Sequence, residues 1–531
     1  MFLEISLLSW SLTCIIIALS VGHHFVRKES FFSEKNIKFV RGIPVLGSLW
    51  PSFFGLEHFT ASFEKIYTKY PDERIVGFYD LYNSPKYMIR DVELIKQIAI
   101  KDFDYFVNHS FYVDDNNDPF FGRSLFVLRD QRWRKMRATL SPAFTGRKMR
   151  LMFNLTNEVA DAFGKYLKCD LVNGQKDYDM KDVLTRFCND VIASTAFGLN
   201  VNSIKDRKNE FYKVAKSISE FGFVEMLKLF LYSVESLSRR VSVRLIKRYD
   251  EKYLKDIILN TMEFREKNHI VRHDMLNILM DLKRGISLAD DDDGETNAKT
   301  SSEIMEWSDN DLLAQCMLFL LAGFGTVSLT LCFMVHEICV NPDIQERLYH
   351  EIQDVKSTLN GQPVTYEALN NMKYIDQVLQ ETMRRWPQSG FSSRYVNTPY
   401  VMHNTEGEEI HLNVGDVLVI PSNAIHADEK YYPNPTKFDP ERFSDENKHK
   451  IPMGAFLAFG IGPRACIASR FAAMEIKSCV YHMLDHFSFE MCEKTQHPIK
   501  LKATSGNIEG EKGFWVRLKS RERIDGNVSK L

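Results

Sequence analysis

Apolar residues in this chain gather into a few long runs. Ile5 to Gly22 is eighteen residues without a charge, just long enough to cross a bilayer as a helix. Glu4 precedes it and Arg27-Lys28 follow it. A cleaved signal peptide would start basic and end at a small-residue site, and this run has neither. The expectation is an uncleaved anchor over residues 1–28, with the basic flank and the bulk of the protein in the cytosol. Ser308 to Val340 predicts one helix, with Ser308 and Asp311 as its cap. Its middle, Leu312 to Leu331, is apolar almost all round and must be buried. Ile467 through Met483 predicts a second apolar helix. Trp133 to Arg137 predicts a third, with those two side chains four apart on one face.

The 531 residues are 44% hydrophobic, ample for a large core. No Gly/Ser/Pro-rich linker divides them, so one catalytic domain over 51–531 is expected after a stiff hinge at 29–50 that includes Arg41-Gly42-Ile43-Pro44. A net charge of −2 points to no nucleic-acid partner. Thirty-eight phenylalanines suit a greasy interior or a lipophilic substrate. Nine cysteines, an odd number without a CxxC pair, argue against a disulfide framework and agree with a reducing compartment.

One cysteine stands apart. Phe459-Gly460-Ile461-Gly462-Pro463-Arg464-Ala465-Cys466-Ile467-Ala468 delivers Cys466 through a Gly- and Pro-punctuated loop to the start of an apolar helix. Unpaired N–H groups at a helix start favour a thiolate. A thiolate there is a good ligand for haem iron and pushes electron density onto it. The other eight cysteines read as small buried hydrophobes.

This loop resembles the haem-binding signature of the cytochrome P-450 superfamily, FxxGxRxCxG, with Ala468 in place of the last Gly. Four further segments follow in the family's order: Trp133 to Arg137 (WxxxR), Ala322-Gly323-Phe324-Gly325-Thr326, Glu381 to Arg384 (ExxR), and Pro440-Glu441-Arg442-Phe443 (PERF). The likeness runs from about Arg41 to Arg517 and is strongest to insect microsomal detoxification members. It implies a mainly α fold with a small β-region and a single N-terminal transmembrane helix. It implies haem b, with Cys466 as iron ligand, Phe459 shielding the sulfur, and Trp133, Arg137, Arg394 and Arg464 holding the propionates. Gly323 would leave room above the iron, and Thr326 would handle oxygen and protons. Glu381, Arg384 and Arg442 would form a buried network that fixes the haem-side loop.

The same resemblance implies a monooxygenase of the endoplasmic reticulum membrane, its catalytic domain facing the cytosol. Electrons would come from an NADPH-dependent flavoprotein reductase, with a b-type cytochrome as a further partner. Arg132, Arg134, Lys135, Arg147 and Lys148 could offer the reductase a basic face. The pocket would be lined from Phe106 to Phe121, Phe221 to Phe230, Leu318 to Thr326 and Ser389 to Ser393. Gly325 stands where the family usually has an acid that helps supply protons. A haem-thiolate isomerase or dehydratase acting on a peroxide would excuse that glycine, and a low-turnover haem protein that binds lipophiles is the non-enzyme alternative. Asn108 and Asn154 begin glycosylation sequons, which a cytosolic domain would leave unmodified.

Overall fold

A computed structural model describes residues 31–220, 222–232, 238–240, 244–285 and 307–521. The expected anchor, residues 1–28, lies outside them, as does Phe221 of the expected pocket lining. Among the described residues one helix, Asp309–Val340, is long and apolar enough to cross a membrane, and it is the core helix of the fold.

That central helix is built as its sequence predicts. Ser308 Oγ accepts from the Asp311 amide and the Asp311 carboxylate accepts from the Ser308 amide, closing a capping box. The helix stops at Asn341 because Pro342 cannot continue it and starts the next helix, Pro342–Thr358. Around it pack Met180–Phe197, Glu210–Ser219, Lys373–Arg385 and Ser469–His486, in one large helical core.

Strands form a second, smaller layer. They are β1 (Phe39–Val40), β2 (Ile75–Asp80), β3 (Ser84–Ile89), β4 (Gln175–Asp179), β5 (Ser392–Tyr395), β6 (Tyr400–His403), β7 (Glu409–Leu412), β8 (Val417–Ile420), β9 (Phe487–Glu490) and β10 (Trp515–Ser520). The main sheet runs β1-β2-β3-β8-β5, parallel at β1/β2 and β3/β8 and antiparallel elsewhere. A three-stranded sheet, β4-β10-β9, ties the C-terminus to the helical core, and β6-β7 is a hairpin. The main sheet has its own apolar core, which Phe32 enters fully buried.

The expected hinge at 29–50 is therefore docked over its described part. Phe39 pairs with Gly77 in register, and the Ser48 amide donates to Tyr79 O at 2.7 Å. Gly47 has φ +65, and an added Cβ would lie 2.3 Å from Tyr79 O, so only glycine lets this strap lie against the sheet. Residues 31–50 thus supply a strand and core side chains to the folded unit.

Candidate active site around Cys466

The Cys466 loop is held by its own backbone. The Cys466 amide donates to Phe459 O at 2.8 Å, so the two residues predicted to cooperate are closed into one turn. Gly462 sits at φ +74, with an added Cβ 2.0 Å from Ala99 O, which forbids any side chain there. The helix Ser469–His486 follows with Ala468 as its N-cap residue. Ala468 has φ −100 and ψ 19, ordinary for an L-residue, so glycine is not required and its replacement is without strain. Burial pushes the Cys466 thiol up, and the Ala468 amide and Arg137 oppose that by favouring the thiolate. Cys466 itself is exposed.

The central helix packs against the helix that Cys466 precedes. It is buried nearly throughout, but Ala322 and Thr326 are exposed and Leu318, Leu321, Gly323 and Gly325 partly so. Leu318, Ala322 and Thr326 recur every four residues, with Leu321 and Gly325 beside them, so one face of an otherwise buried helix is open. The Thr326 hydroxyl donates to Ala322 O at 2.6 Å, leaving its lone pairs toward the opening.

Gly323 has a packing role in this helix. A Cβ on Gly323 would lie 2.4 Å from Ile192 Cδ1, so this glycine lets the helix Met180–Phe197 approach the central helix. Ala322, one residue earlier, is the small exposed residue of the open face.

The arginines converge at one side of the Cys466 loop. Arg464 donates to Val107 O and Leu128 O, each at 2.8 Å, and its guanidinium lies 4.0 Å from the Trp133 ring centre. Arg137, on the helix Asp130–Leu140, donates to Ala465 O at 3.0 Å. Arg394, on β5, is fully enclosed, donates to Ser393 O at 2.9 Å, and leaves its buried Nε without a partner. Burial lowers Arg394 to about 10 and, with the charges of Arg394 and Arg137 beside it, lowers Arg464 to about 8. Asp130 opposes this for Arg464, but its carboxylate already accepts from the Asn108 and Asn397 side chains. His109, missed in the sequence, joins the cluster: burial and then Arg464 and Arg394 hold its pKa far below normal. Among the described residues, enclosed Arg394, largely enclosed Arg464 and half-buried Arg137 bond to carbonyls and form no ion pair. Two carboxylates entering beside Arg394, Arg464 and Arg137 would supply an anionic partner, and haem carries two propionates. The donor set fits that group.

Behind the loop sits the predicted network. Arg384 Nε and Nη2 grip the Glu381 carboxylate at 2.7 and 2.8 Å, both residues nearly inaccessible. Arg442 Nε lies 3.5 Å from the same carboxylate, and the Asp439 amide donates to it at 2.9 Å. His426, which no sequence signal singled out, completes the link. Its Nδ1 lies 3.1 Å from Arg384 O, and its Nε2 accepts from the Leu457 amide at 2.8 Å. A carbonyl on one side and an amide on the other fix the neutral Nδ1–H tautomer.

The family model for Cytochrome P450 matches residues 40–514. The chain belongs to the cytochrome P450 family.

Its similarity extends to individual insect proteins. It is 41% identical to Probable cytochrome P450 9f2 of Drosophila melanogaster, covering 93% of this chain and 95% of that protein. It is 38% identical to Cytochrome P450 9e2 of Blattella germanica (93% and 94%), and 31% identical to Cytochrome P450 6j1 of the same species (93% and 94%). This P450 is accordingly a haem-thiolate monooxygenase, and the family's cofactor is haem b on a cysteine thiolate.

The aromatic pocket is only partly as expected. Phe106 belongs to the sheet-side core and packs on Tyr400 at 4.9 Å. Phe120 and Phe121 join the helical core. Phe126, unnoticed in the sequence, is 40% exposed although its ring lies 5.1 Å from His109 and within 6.4 Å of Phe111 and Phe121. Phe126 is the exposed ring of this aromatic group. Of the basic face, Arg132 pairs with Asp115 at 3.5 Å and Arg134 with Asp104 at 2.5 Å, while Arg132, Lys135 and Arg147 stay exposed.

Proposed function

We propose that this P450 oxidises a lipophilic small molecule with NADPH-derived electrons from a flavoprotein reductase, at the endoplasmic reticulum membrane and facing the cytosol. Haem held by Cys466 supplies oxygen activation, and one oxygen atom enters the substrate. The chain's own residues bind, orient and exclude. Arg137, Arg394, Arg464 and Trp133 hold the propionate edge. Leu318, Leu321 and Ala322 offer an apolar wall, and Phe126 adds an aromatic one. Thr326 Oγ1 presents lone pairs to the site and, by turning from Ala322 O, can donate its proton there.

The observation that carries the lipophilic reading is the open stripe of the central helix, which bears one hydroxyl among small and aliphatic groups. Electron entry is supported by the helix Asp130–Leu140, which carries exposed Arg132 and Lys135 on the same rod as Arg137, bonded to Ala465. A lipophile library screened for spectral shifts of the ferric haem, then turned over with reductase and NADPH, tests this. Oxygenated products from apolar hits are expected. Shifts confined to charged, hydrophilic compounds would overturn it.

A further inference from the structure

The helix Ser469–His486 carries an acid that takes no part in the site. Glu475 is fully buried, and neither of its carboxylate oxygens has a hydrogen-bond partner. Among the described residues no cation pairs with it, and the group that acts on it is the Cys188 thiol, a weak donor, of the helix Met180–Phe197. Cys479, four residues further along the same helix, feels the Glu475 charge, and Cys332 of the central helix acts on both thiols. Asp179, Lys181 and Glu509 act on Cys332 and not on Glu475. All three cysteines are buried, and burial holds their thiols protonated. An ionised carboxylate here would be an isolated charge packed among three helices, so Glu475 keeps its proton instead. Burial pushes it up to about 8, and the Cys188 thiol opposes this. The same three helices frame the site. The central helix carries Thr326, Ile192 of the helix Met180–Phe197 packs against it at Gly323, and Ser469–His486 starts three residues after Cys466.

We propose that Glu475 makes the haem site proton-sensitive: the neutral acid lets the three helices pack, and its ionisation loosens the helix behind Cys466 and weakens the hold on haem. Only the carboxyl O–H bond breaks, and the proton passes to hydroxide as water enters. Glu475 is a positioning residue that acts on Cys466 through the helix starting beside it. Its folded value lies above the ordinary 4.5, so it favours the folded state fully below pH 4.5. That advantage is lost as the pH rises to about 8, by about tenfold in the folding equilibrium per pH unit. Above pH 8 the folded protein itself carries the buried charge, and the site relaxes. The device depends on haem binding and not on which substrate is oxidised.

Two measurements on the haem-loaded protein test it. Infrared spectra of wild type should lose the carbonyl stretch of a buried carboxylic acid as the pH is raised from 7 to 9.5, with a midpoint near pH 8. Subtracting the same series for Glu475→Gln isolates this residue from the other buried acids, because glutamine keeps the shape and does not titrate. Haem transfer to apomyoglobin is then followed over the same range. In wild type it should speed up about tenfold between pH 7 and pH 9, and in Glu475→Gln it should stay flat. Glu475→Met, apolar and uncharged, should give a second flat profile, and the wild-type infrared titration stands even where a variant folds poorly. A wild type that shows no such carbonyl band at pH 7 beyond that of Glu475→Gln overturns the proposal. So does a wild-type transfer rate that follows the same pH course as both variants.

Discussion

At the scale of single residues, two glycines two positions apart do opposite things. Gly323 is a packing glycine: its missing Cβ is the space that Ile192 Cδ1 occupies. Gly325 has contact-distance room for a methyl. Gly323→Ala should therefore cost about 1–3 kcal/mol through overpacking, and Ile192→Ala should recover part of it. Gly325→Ala should be tolerated, gaining up to about 1 kcal/mol of helix propensity. Chemical melting of the four proteins checks both signs. Arg394 offers a second test. It is enclosed, and its Nε is unpaired. Arg394→Met should make the haem-free protein more stable while weakening haem retention about tenfold, because the charge is costly until an anion joins it. Haem transfer to apomyoglobin and melting of the apo form measure the two effects.

At the scale of elements, His426 connects what the motifs leave separate. The helix Lys373–Arg385 carries Glu381 and Arg384, and the 440–443 turn carries Arg442. His426 joins this network to Leu457, nine residues before Cys466. The motif spacings made Cys466, the Glu381 network and the capped central helix legible, because each is a local pattern. His426, His109, Phe126 and the partner of Gly323 were not, since each owes its role to a contact between distant segments. Burial, then the Arg384 charge, lower the His426 pKa to about 3, below the ordinary 6.5. A base with a lowered folded pKa takes up its proton in the unfolded chain first. Its contribution to stability is full above pH 6.5 and falls as the pH drops toward 3, by about 1.4 kcal/mol per pH unit. Glutamine can supply the same donor and acceptor without titrating. Denaturant melts should show wild type ahead of His426→Gln at pH 7.5 and the gap shrinking steadily from pH 6.5 to 4. A constant gap would mean that His426 is not held neutral.

At the scale of the whole molecule, five of the exposed apolar residues fall in two segments that the fold brings together. Phe54 (62%) and Leu56 (67%) stand out near the N-terminus, and Phe223 (43%), Val224 (58%) and Leu227 (38%) in the helix Phe223–Tyr232. The loop around Asn507 brings the two groups together: Thr504 Cγ2 is 3.0 Å from the Cβ position of Gly55, and Asn507 touches both His58 and Ser219. The 504–507 loop thus links two groups of exposed large apolar side chains, a surface suited to contact with lipid. Deleting residues 1–28 should then weaken membrane association without ending it. Adding Phe54→Ser, Leu56→Ser and Val224→Ser should release the truncated protein into the soluble fraction in vesicle flotation at unchanged haem content. Orientation has its own reporter. Asn108 is buried and bonded to Asp130, but Asn154 is exposed on the helix Gly146–Cys169. A cytosolic domain leaves Asn154 bare, so glycosidase should not change the mass of the cellular protein. A glycan mapped to Asn154 would put the catalytic unit in the lumen, out of reach of a cytosolic reductase, and would overturn the electron route together with the topology.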